Sequence, residues 1–527
     1  MPGKPNYLIR SDAIHFILAL ILFPQIVVAA QAATLSATAT IQGDQEQGTI
    51  SKHIYGHFME HLGRCIYDGL WVGEDSSIPN TRGIRNDVIA ALKELNCPNL
   101  RWPGGCFADD YHWRDGIGPR KERPKRINIH WGQVIETNAF GTHEFLDLCE
   151  IVGAEPYVAG NVGSGSPQEM RDWIEYMTFD GDSELANLRR ANGREKPWKI
   201  PFFGVGNENW GCGGNMTPEF YADLYKRFAT FCRDLSGNHL MRVACGPNGG
   251  NDHWTSVVFP RVSGQAEALS LHYYTLSAPW HDKLRATGFS EVQWFGILNS
   301  TLRMGDILDS TEAIMNATDP EKYRHLFVDE WGTWYREEEG TNPSVLFQQN
   351  SLRDALVAGL NFHIFQQHHE RVKLCNIAQT VNVLQAMILT EGPKMLLTPT
   401  YHAFEMCKVH QDTKYLPVKL ESPRYSLGSE SIPAVSVSAS RATDGTVYIS
   451  LVNTHALESV DLKCQLADID ASQVAGRVLT ADALDAHNTF DQPNRVEPSE
   501  FSDCSISATT LNTTLPPHSL VVLTLSK

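Results

Sequence analysis

Phe203-Gly204-Val205-Gly206-Asn207-Glu208-Asn209-Trp210 is an apolar, β-rich run that stops in a carboxylate and continues into an aromatic side chain. The pattern returns at Phe327-Val328-Asp329-Glu330-Trp331-Gly332-Thr333-Trp334. Reading outward from these two runs, further β-rich segments lie at His53–Phe58, Asn99–Trp102, Pro156–Gly160, Met241–Cys245, Leu269–Tyr273 and Val372–Ile377. With Ile200–Val205 and His325–Val328, which contain the runs' strands, they make eight. Helical patterns separate them. Thr217-Pro218-Glu219 is an N-cap with proline at the first helical position. Phe220, Leu224, Phe228 and Cys232 then recur near the helical period and predict one core-facing side. Asn86–Leu95 and Ser351–Leu360 read as helices too. Eight β/α alternations predict parallel strands with right-handed crossovers, closed most economically as a (β/α)8 TIM barrel; an open doubly wound sheet is the alternative.

Past Thr398 the period changes to two. Ala434–Ser440, Thr446–Asn453, Ser459–Leu466 and Ser519–Leu525 alternate apolar and polar residues, with turn signals such as Thr443-Asp444-Gly445 between them. A C-terminal antiparallel β-sandwich is expected, and Thr34–Ile41 alternates in the same way. The expected organisation is a signal peptide over residues 1–32, a strand-bearing segment over 33–50 that joins the sandwich, a catalytic barrel over 51–397, and the sandwich proper over 398–527. The signal is read from Lys4 and Arg10, an apolar run from Ala13 to about Ala30, and the small-residue exit Ala30-Gln31-Ala32. An uncleaved N-terminal anchor is its alternative. The cleaved form implies a secreted or periplasmic protein with no membrane association.

The chain has 527 residues, 42% of them hydrophobic, and a formal net charge of −17 with no cluster of Lys or Arg. That balance argues against nucleic acid and anionic membranes as partners. Eleven cysteines show no C-x-x-C pair, and several sit in apolar contexts, so no disulfide framework is expected.

The two glutamates carry the chemistry. They close the fourth and seventh predicted strands, and in a barrel the C-terminal strand ends meet at one mouth. Cleavage of a glycosidic bond needs such a pair, one carboxyl protonated for the leaving oxygen and the other ionised. A separation of about 5–5.5 Å would dictate retention through a covalent intermediate. Two structural, salt-bridged glutamates are the bland alternative.

Ile54-Tyr55-Gly56-His57-Phe58-Met59-Glu60-His61-Leu62-Gly63-Arg64, Arg101-Trp102-Pro103-Gly104-Gly105, Gly206-Asn207-Glu208, His272-Tyr273-Tyr274 and Asp329-Glu330-Trp331 follow in that order. Together they make the chain similar to the α-L-arabinofuranosidases of glycoside hydrolase family 51. The resemblance implies that Glu208 is the general acid/base and Glu330 the nucleophile. It places Asn207 on the sugar 2-OH, Arg101 and Tyr274 around Glu330, and Glu60 and Gln379 on the furanose hydroxyls. For Tyr274 the neighbouring Tyr273 is the rival, since strand alternation turns one of them away. Cys106 stands where the family is expected to carry an Asn. A thiol is a weak donor, so either Asp109 or Asp110 reaches in or the subsite takes a somewhat different sugar. Trp131, Trp331 and Trp334 are candidates for stacking on sugars beyond the scissile bond.

His53, His57 and His61 recur every four residues but fall on a predicted strand and loop, so neither a metal nor another cofactor is expected. The expected partner is an arabinofuranosyl-containing oligo- or polysaccharide, and the resemblance suggests a homo-oligomer. Endo-β-glucanase or β-xylosidase action on the same scaffold, or a non-catalytic carbohydrate-binding protein, are the competing readings.

Overall fold

The computed structural model describes residues 35–527; the signal-peptide segment and its cleavage site lie outside the described residues. Eight parallel strands close a barrel: β1 Gly56–Phe58, β2 Asn99–Trp102, β3 Glu155–Gly160, β4 Phe202–Val205, β5 Met241–Ala244, β6 Ala268–Thr275, β7 His325–Thr333 and β8 Val372–Ala378. All eight coincide with the predicted β-rich segments. The lower barrel interior is plugged by Tyr157, Phe202, Val243, Ala268, Phe327 and Leu374, which form one buried apolar layer. It is a packed core with no channel, and it pushes polar chemistry up to the mouth.

Strand lengths depart from expectation where the site lies. β6 and β7 run on to Thr275 and Thr333, so Tyr274 and Glu330 sit within strands and not past them. β7 also carries an extra residue. From Phe327 to Glu330 it takes three steps while β6 takes two, from Ser270 to His272. Against β8, three steps from Val328 to Trp331 face two from Cys375 to Ile377. A bulge of this kind breaks the strict alternation of faces. It lets consecutive Asp329 and Glu330 both reach Arg101 inside the barrel.

The helix after β4, Pro218–Ala229, is capped as predicted, Thr217 Oγ1 accepting from the Phe220 N–H. Its buried side differs by one position. Tyr221, Ala222, Tyr225, Phe228 and Ala229 face inward, whereas Phe220 is exposed. The reason is Tyr221, whose hydroxyl donates to the Val205 carbonyl at 2.7 Å and accepts from the Cys245 N–H at 2.6 Å. The helix is thereby pinned beneath the end of β4.

The C-terminal strands form two packed sheets. One orders Val418–Glu421, Leu35–Gln42, Val460–Ala467, Thr510–Leu515 and Cys504–Ser507; the other is built around Val435–Arg441, Val447–Asn453 and Ser519–Ser526. The pairing is antiparallel with one exception: Leu35–Gln42 runs parallel to Val460–Ala467. The hairpin between Val435–Arg441 and Val447–Asn453 turns at Asp444-Gly445, where Asp444 accepts from the Thr446 N–H and Gly445 takes φ +91°. Barrel and sandwich meet through polar bridges as well as apolar packing. On the helix Leu352–Gln367, His363 bonds Ser436 Oγ and Ser450 Oγ at 2.8 and 2.9 Å, and Gln366 donates to Tyr55 and accepts from Ser438.

Burial holds His363 neutral, lowering its pKa to about 3, whereas in the unfolded chain it titrates near ~6.5. A depressed folded-state pKa means that its contribution to stability is complete above pH ~6.5 and is lost as pH falls from there towards 3. In calorimetric scans between pH 7 and 5, Tm of His363→Gln is therefore expected to depend less steeply on acidification than that of the unaltered protein. Identical slopes would contradict the assignment.

Candidate active site

The mouth is organised around Arg101 at the end of β2. Its side chain is 2% exposed. Nη1 donates to Glu330 Oε1 at 2.8 Å, and Nη2 donates to Asn207 Oδ1 at 2.5 Å. Nε lies 3.6 Å from Asp329, which also accepts from the Tyr157 hydroxyl at 2.7 Å. Burial works against a charge on Asp329, but Arg101, His272 and Tyr157 outweigh it and hold that carboxyl below the usual range. Burial likewise opposes the guanidinium charge, and Asp329 and Glu330 more than restore it. Tyr274 donates to the other Glu330 oxygen at 2.9 Å, so both oxygens of this carboxylate are held by charged or phenolic donors. Tyr273 turns away and bonds Ser300 behind the barrel. The alternation of β6 thus resolves the rivalry in favour of Tyr274.

Glu208 is held differently. Its side chain is 17% exposed against 5% for Glu330, and it stands on a turn with Gly206 at φ +96° and Glu208 itself at φ +43°. A bulky residue in the left-handed region is held there only when its surroundings over-determine it. Asp109 supplies that determination, accepting from the N–H groups of Val162, Gly163 and Asn207 and from the Asn209 amide. Asp109 therefore lies under the turn in place of reaching into the sugar site, and burial raises its pKa to about 7. Glu208 Oε1 takes its strong contact from His272 Nδ1 at 2.8 Å; the same nitrogen lies 3.4 Å from Glu330, and Nε2 lies 3.2 Å from Asp329. Burial disfavours a charged imidazole, but the three carboxylates overrule it and raise the His272 pKa to about 10. Burial raises the pKa of Glu208, and the Glu330 charge adds to that. An oxygen of Glu208 and an oxygen of Glu330 lie within 4.8 Å of each other, both facing His272 Nδ1.

The remaining predicted residues fall into three groups. Glu60 is buried beside the pair and accepts from Trp131 Nε1 at 2.9 Å and Gln379 Nε2 at 3.0 Å. Desolvation and the Glu330 charge raise its pKa to about 7. Among the described residues the Asn207 amide NH2 and the Gln379 amide oxygen have no protein partner. Trp334 is half-buried, edge-on to Tyr274 and to the exposed Trp280. Trp331 is not at the mouth: it is fully buried and packs on Phe362, Phe365 and Phe404. The strand's alternation sends it outward from Glu330.

Cys106 is not a thiol. It is bonded to Cys212, which follows Glu208 by four residues, and the two sulfurs lie 3.9 and 3.4 Å from Glu208 Oε2. This bond corrects the expectation of a free thiol at Cys106. His272, Asp329, Tyr157 and Cys212 are the site members that sequence reasoning leaves unassigned. Among the described residues two donor sets come close enough to share a cation: Cys106, Glu208 and Cys212, and Glu208, His272 and Glu330. In the first the sulfurs are spent on each other; in the second a protonated imidazole has no lone pair to give.

The glycines of Arg101-Trp102-Pro103-Gly104-Gly105 now have a reason. A Cβ on Gly104 would stand 2.6 Å from Glu60 Cγ, and one on Gly105 would stand 2.8 Å from Glu330 Oε1. Gly105→Ala is expected to displace Glu330 and lower kcat by about 100-fold, the scale of a 1 Å misplacement, with an unchanged circular dichroism spectrum. Full activity in this variant would contradict the packing described.

Comparison with known proteins places this architecture. Residues 91–284 match the α-L-arabinofuranosidase 1 domain and residues 329–519 the α-L-arabinofuranosidase C-terminal domain. An intracellular exo-α-L-arabinofuranosidase of Bacteroides ovatus is 51% identical over 93% of this chain and 96% of its own length. An exo-α-(1→6)-L-arabinofuranosidase of Bifidobacterium longum is 31% identical over 91% of this chain and 95% of its own. The crystal structure of the GH51 arabinofuranosidase from Xanthomonas axonopodis pv. citri superposes with a TM-score of 0.93 at 50% identity, covering 93% of this chain and 100% of that one. The Bacteroides relative also corrects one expectation. It matches nearly end to end and is named intracellular, so the secreted or periplasmic location read from the N-terminal segment is withdrawn. On these similarities, the chain belongs to glycoside hydrolase family 51, the α-L-arabinofuranosidases.

Proposed function

We propose that the protein releases terminal α-L-arabinofuranosyl groups from arabinose-containing hemicellulose or oligosaccharides by double displacement, with Glu208 as general acid/base and Glu330 as nucleophile. The observation that carries the assignment is the asymmetry of the pair. Glu330 is deeper and has both oxygens held by Arg101 and Tyr274, which fixes its carboxylate in one orientation. Glu208 is nearer the opening and disfavours charge. In the first step Glu330 Oε attacks the anomeric carbon while the bond to the leaving oxygen breaks, and that oxygen takes the proton of Glu208. In the second step water gives a proton to Glu208, its oxygen bonds the anomeric carbon, and Glu330 departs. Two inversions retain the configuration.

His272 stands between the carboxylates as a fixed positive charge and eases their approach. The free Asn207 NH2 is the donor assigned to the sugar 2-OH, and Glu60 and Gln379 are assigned to the other hydroxyls. Trp131 and Trp334 are assigned to the sugar that follows the scissile bond. Exo action is supported by the burial of Glu60, Gln379 and Glu330, which suits a blind pocket more than a groove. A homo-oligomer is supported by the hairpin around Trp131, which exposes Ile127, Ile129, Val134 and Ile135. Strand pairing supports the division into a barrel over 51–397 and a sandwich over 398–527 joined by 33–50.

Aryl α-L-arabinofuranoside is expected to be hydrolysed well above aryl β-xyloside and β-glucoside; no turnover of the first defeats the reading. Glu330→Ala is expected to abolish hydrolysis. Glu208→Gln should slow glycosylation by substrates with poor leaving groups by about 10²–10⁴-fold and spare that step for activated aryl substrates, whose slowed deglycosylation added azide should recover. Unchanged activity in either variant would contradict the role assigned to that glutamate.

A further inference from the structure

The bond between Cys106 and Cys212 ties the loop after β2 to the loop that carries Glu208. Among the described residues the other nine cysteines are free; eight are buried and Cys504 is half-buried. The bonded pair therefore combines two properties that no other cysteine has: both residues are half-buried at the mouth of the barrel, and both sulfurs touch Glu208 Oε2. We infer that Cys106 and Cys212 are a reversible thiol–disulfide switch on Glu208, opened and closed by exchange with a dithiol/disulfide couple. This rests on Glu208 being the acid/base.

The exchange balances without any further reagent. A thiolate of the external dithiol attacks one sulfur and forms a mixed disulfide, and the other leaves as a thiolate that takes up a proton. The second external thiol then resolves the mixed disulfide. The protein gains two S–H groups and the external dithiol becomes a cyclic disulfide; the reverse reaction closes the bond. In a compartment poised by thiols the pair rests open, and in an oxidising one it rests closed.

Two consequences for Glu208 follow from the geometry. A disulfide holds its sulfurs about 2 Å apart, whereas unbonded atoms of this size settle at van der Waals contact, roughly 3.5–4 Å. Opening the bond therefore parts the two loops at the residue four positions from Glu208, and displacements near 1 Å in a catalytic group cost about 10²-fold. The second consequence is electrostatic. Disulfide sulfurs have no proton to donate, so they form a wall against Glu208 Oε2 that leaves its charge unsolvated. Two thiols at the same places are donors, and donors favour the ionised carboxylate. The other groups facing Glu208, namely His272, Glu330 and Arg101, are chemically untouched by the exchange. The fold survives it, because Asp109 joins the same two loops through Asn207 and Asn209 independently of the sulfurs.

The test uses the full chain equilibrated with dithiothreitol or with its cyclic disulfide, the thiols being counted by alkylation and mass spectrometry. Kinetics are read on aryl α-L-arabinofuranoside across pH. Dithiothreitol is expected to expose two further thiols, at Cys106 and Cys212. It should lower kcat/KM at neutral pH at least 10-fold, and move the alkaline limb of the profile to lower pH with the circular dichroism unchanged. Reoxidation should reverse all three changes. The Cys106→Ser, Cys212→Ser double variant should resemble the reduced enzyme and ignore dithiothreitol. The switch is overturned if the two thiols appear while kcat/KM and the alkaline limb stay put, or if the bond resists dithiothreitol in the folded protein. Inactivity of both redox forms overturns the arabinofuranosidase reading itself, and the switch with it.

Discussion

Arg101 brings one buried positive charge to the mouth of the barrel, where Glu330, Asp329 and Asn207 converge on it. Stripped of its guanidinium, the site would bury carboxyl groups in a low-dielectric space with too little positive charge to offset their desolvation. With it, Glu330 and Asp329 have a counter-charge and Asn207 has a fixed amide orientation. His272 completes the balance from β6, its imidazole charged because three acids surround it. Glu208 is the member of the set that this arrangement leaves without its own guanidinium partner, and that asymmetry is the basis on which the acid and nucleophile roles are proposed.

The backbone makes the convergence possible. One extra residue in β7 turns both Asp329 and Glu330 inward, which regular alternation forbids. Two glycines on the β2 loop leave room for Glu60 and Glu330 to pass. The turn at Gly206-Asn207-Glu208 is held from beneath by Asp109. Each device is local, and all act on the same small volume at one end of a barrel whose other layers are ordinary apolar packing.

How far the sequence reveals this depends on the kind of signal each feature leaves. Eight apolar runs separated by helical periods are legible because burial imposes them, and the endings Gly-Asn-Glu and Asp-Glu-Trp mark where two strands reach the mouth. The bulge in β7 is silent, since an extra residue in a strand looks like any other. Trp331 reads as a mouth residue because its neighbours are, although a single step along the strand turns it into the core. Tyr221 lies off the face marked by Phe220, Leu224 and Phe228, yet its ring is buried and its hydroxyl spent on backbone. The Cys106–Cys212 pair joins residues 106 positions apart in apparently unrelated contexts, and only the closing of the barrel brings them together.

The central claim is that Glu208 and Glu330, which bring oxygens within 4.8 Å of each other, work by double displacement, so that the sugar passes through a bond to the protein. The stereochemistry of the first-formed product tests this directly. Proton NMR of the earliest arabinose released, recorded before mutarotation, is predicted to show the α-anomer, with methanol as acceptor giving methyl α-L-arabinofuranoside. A β-configured first product would mean a single displacement by water and would contradict the account.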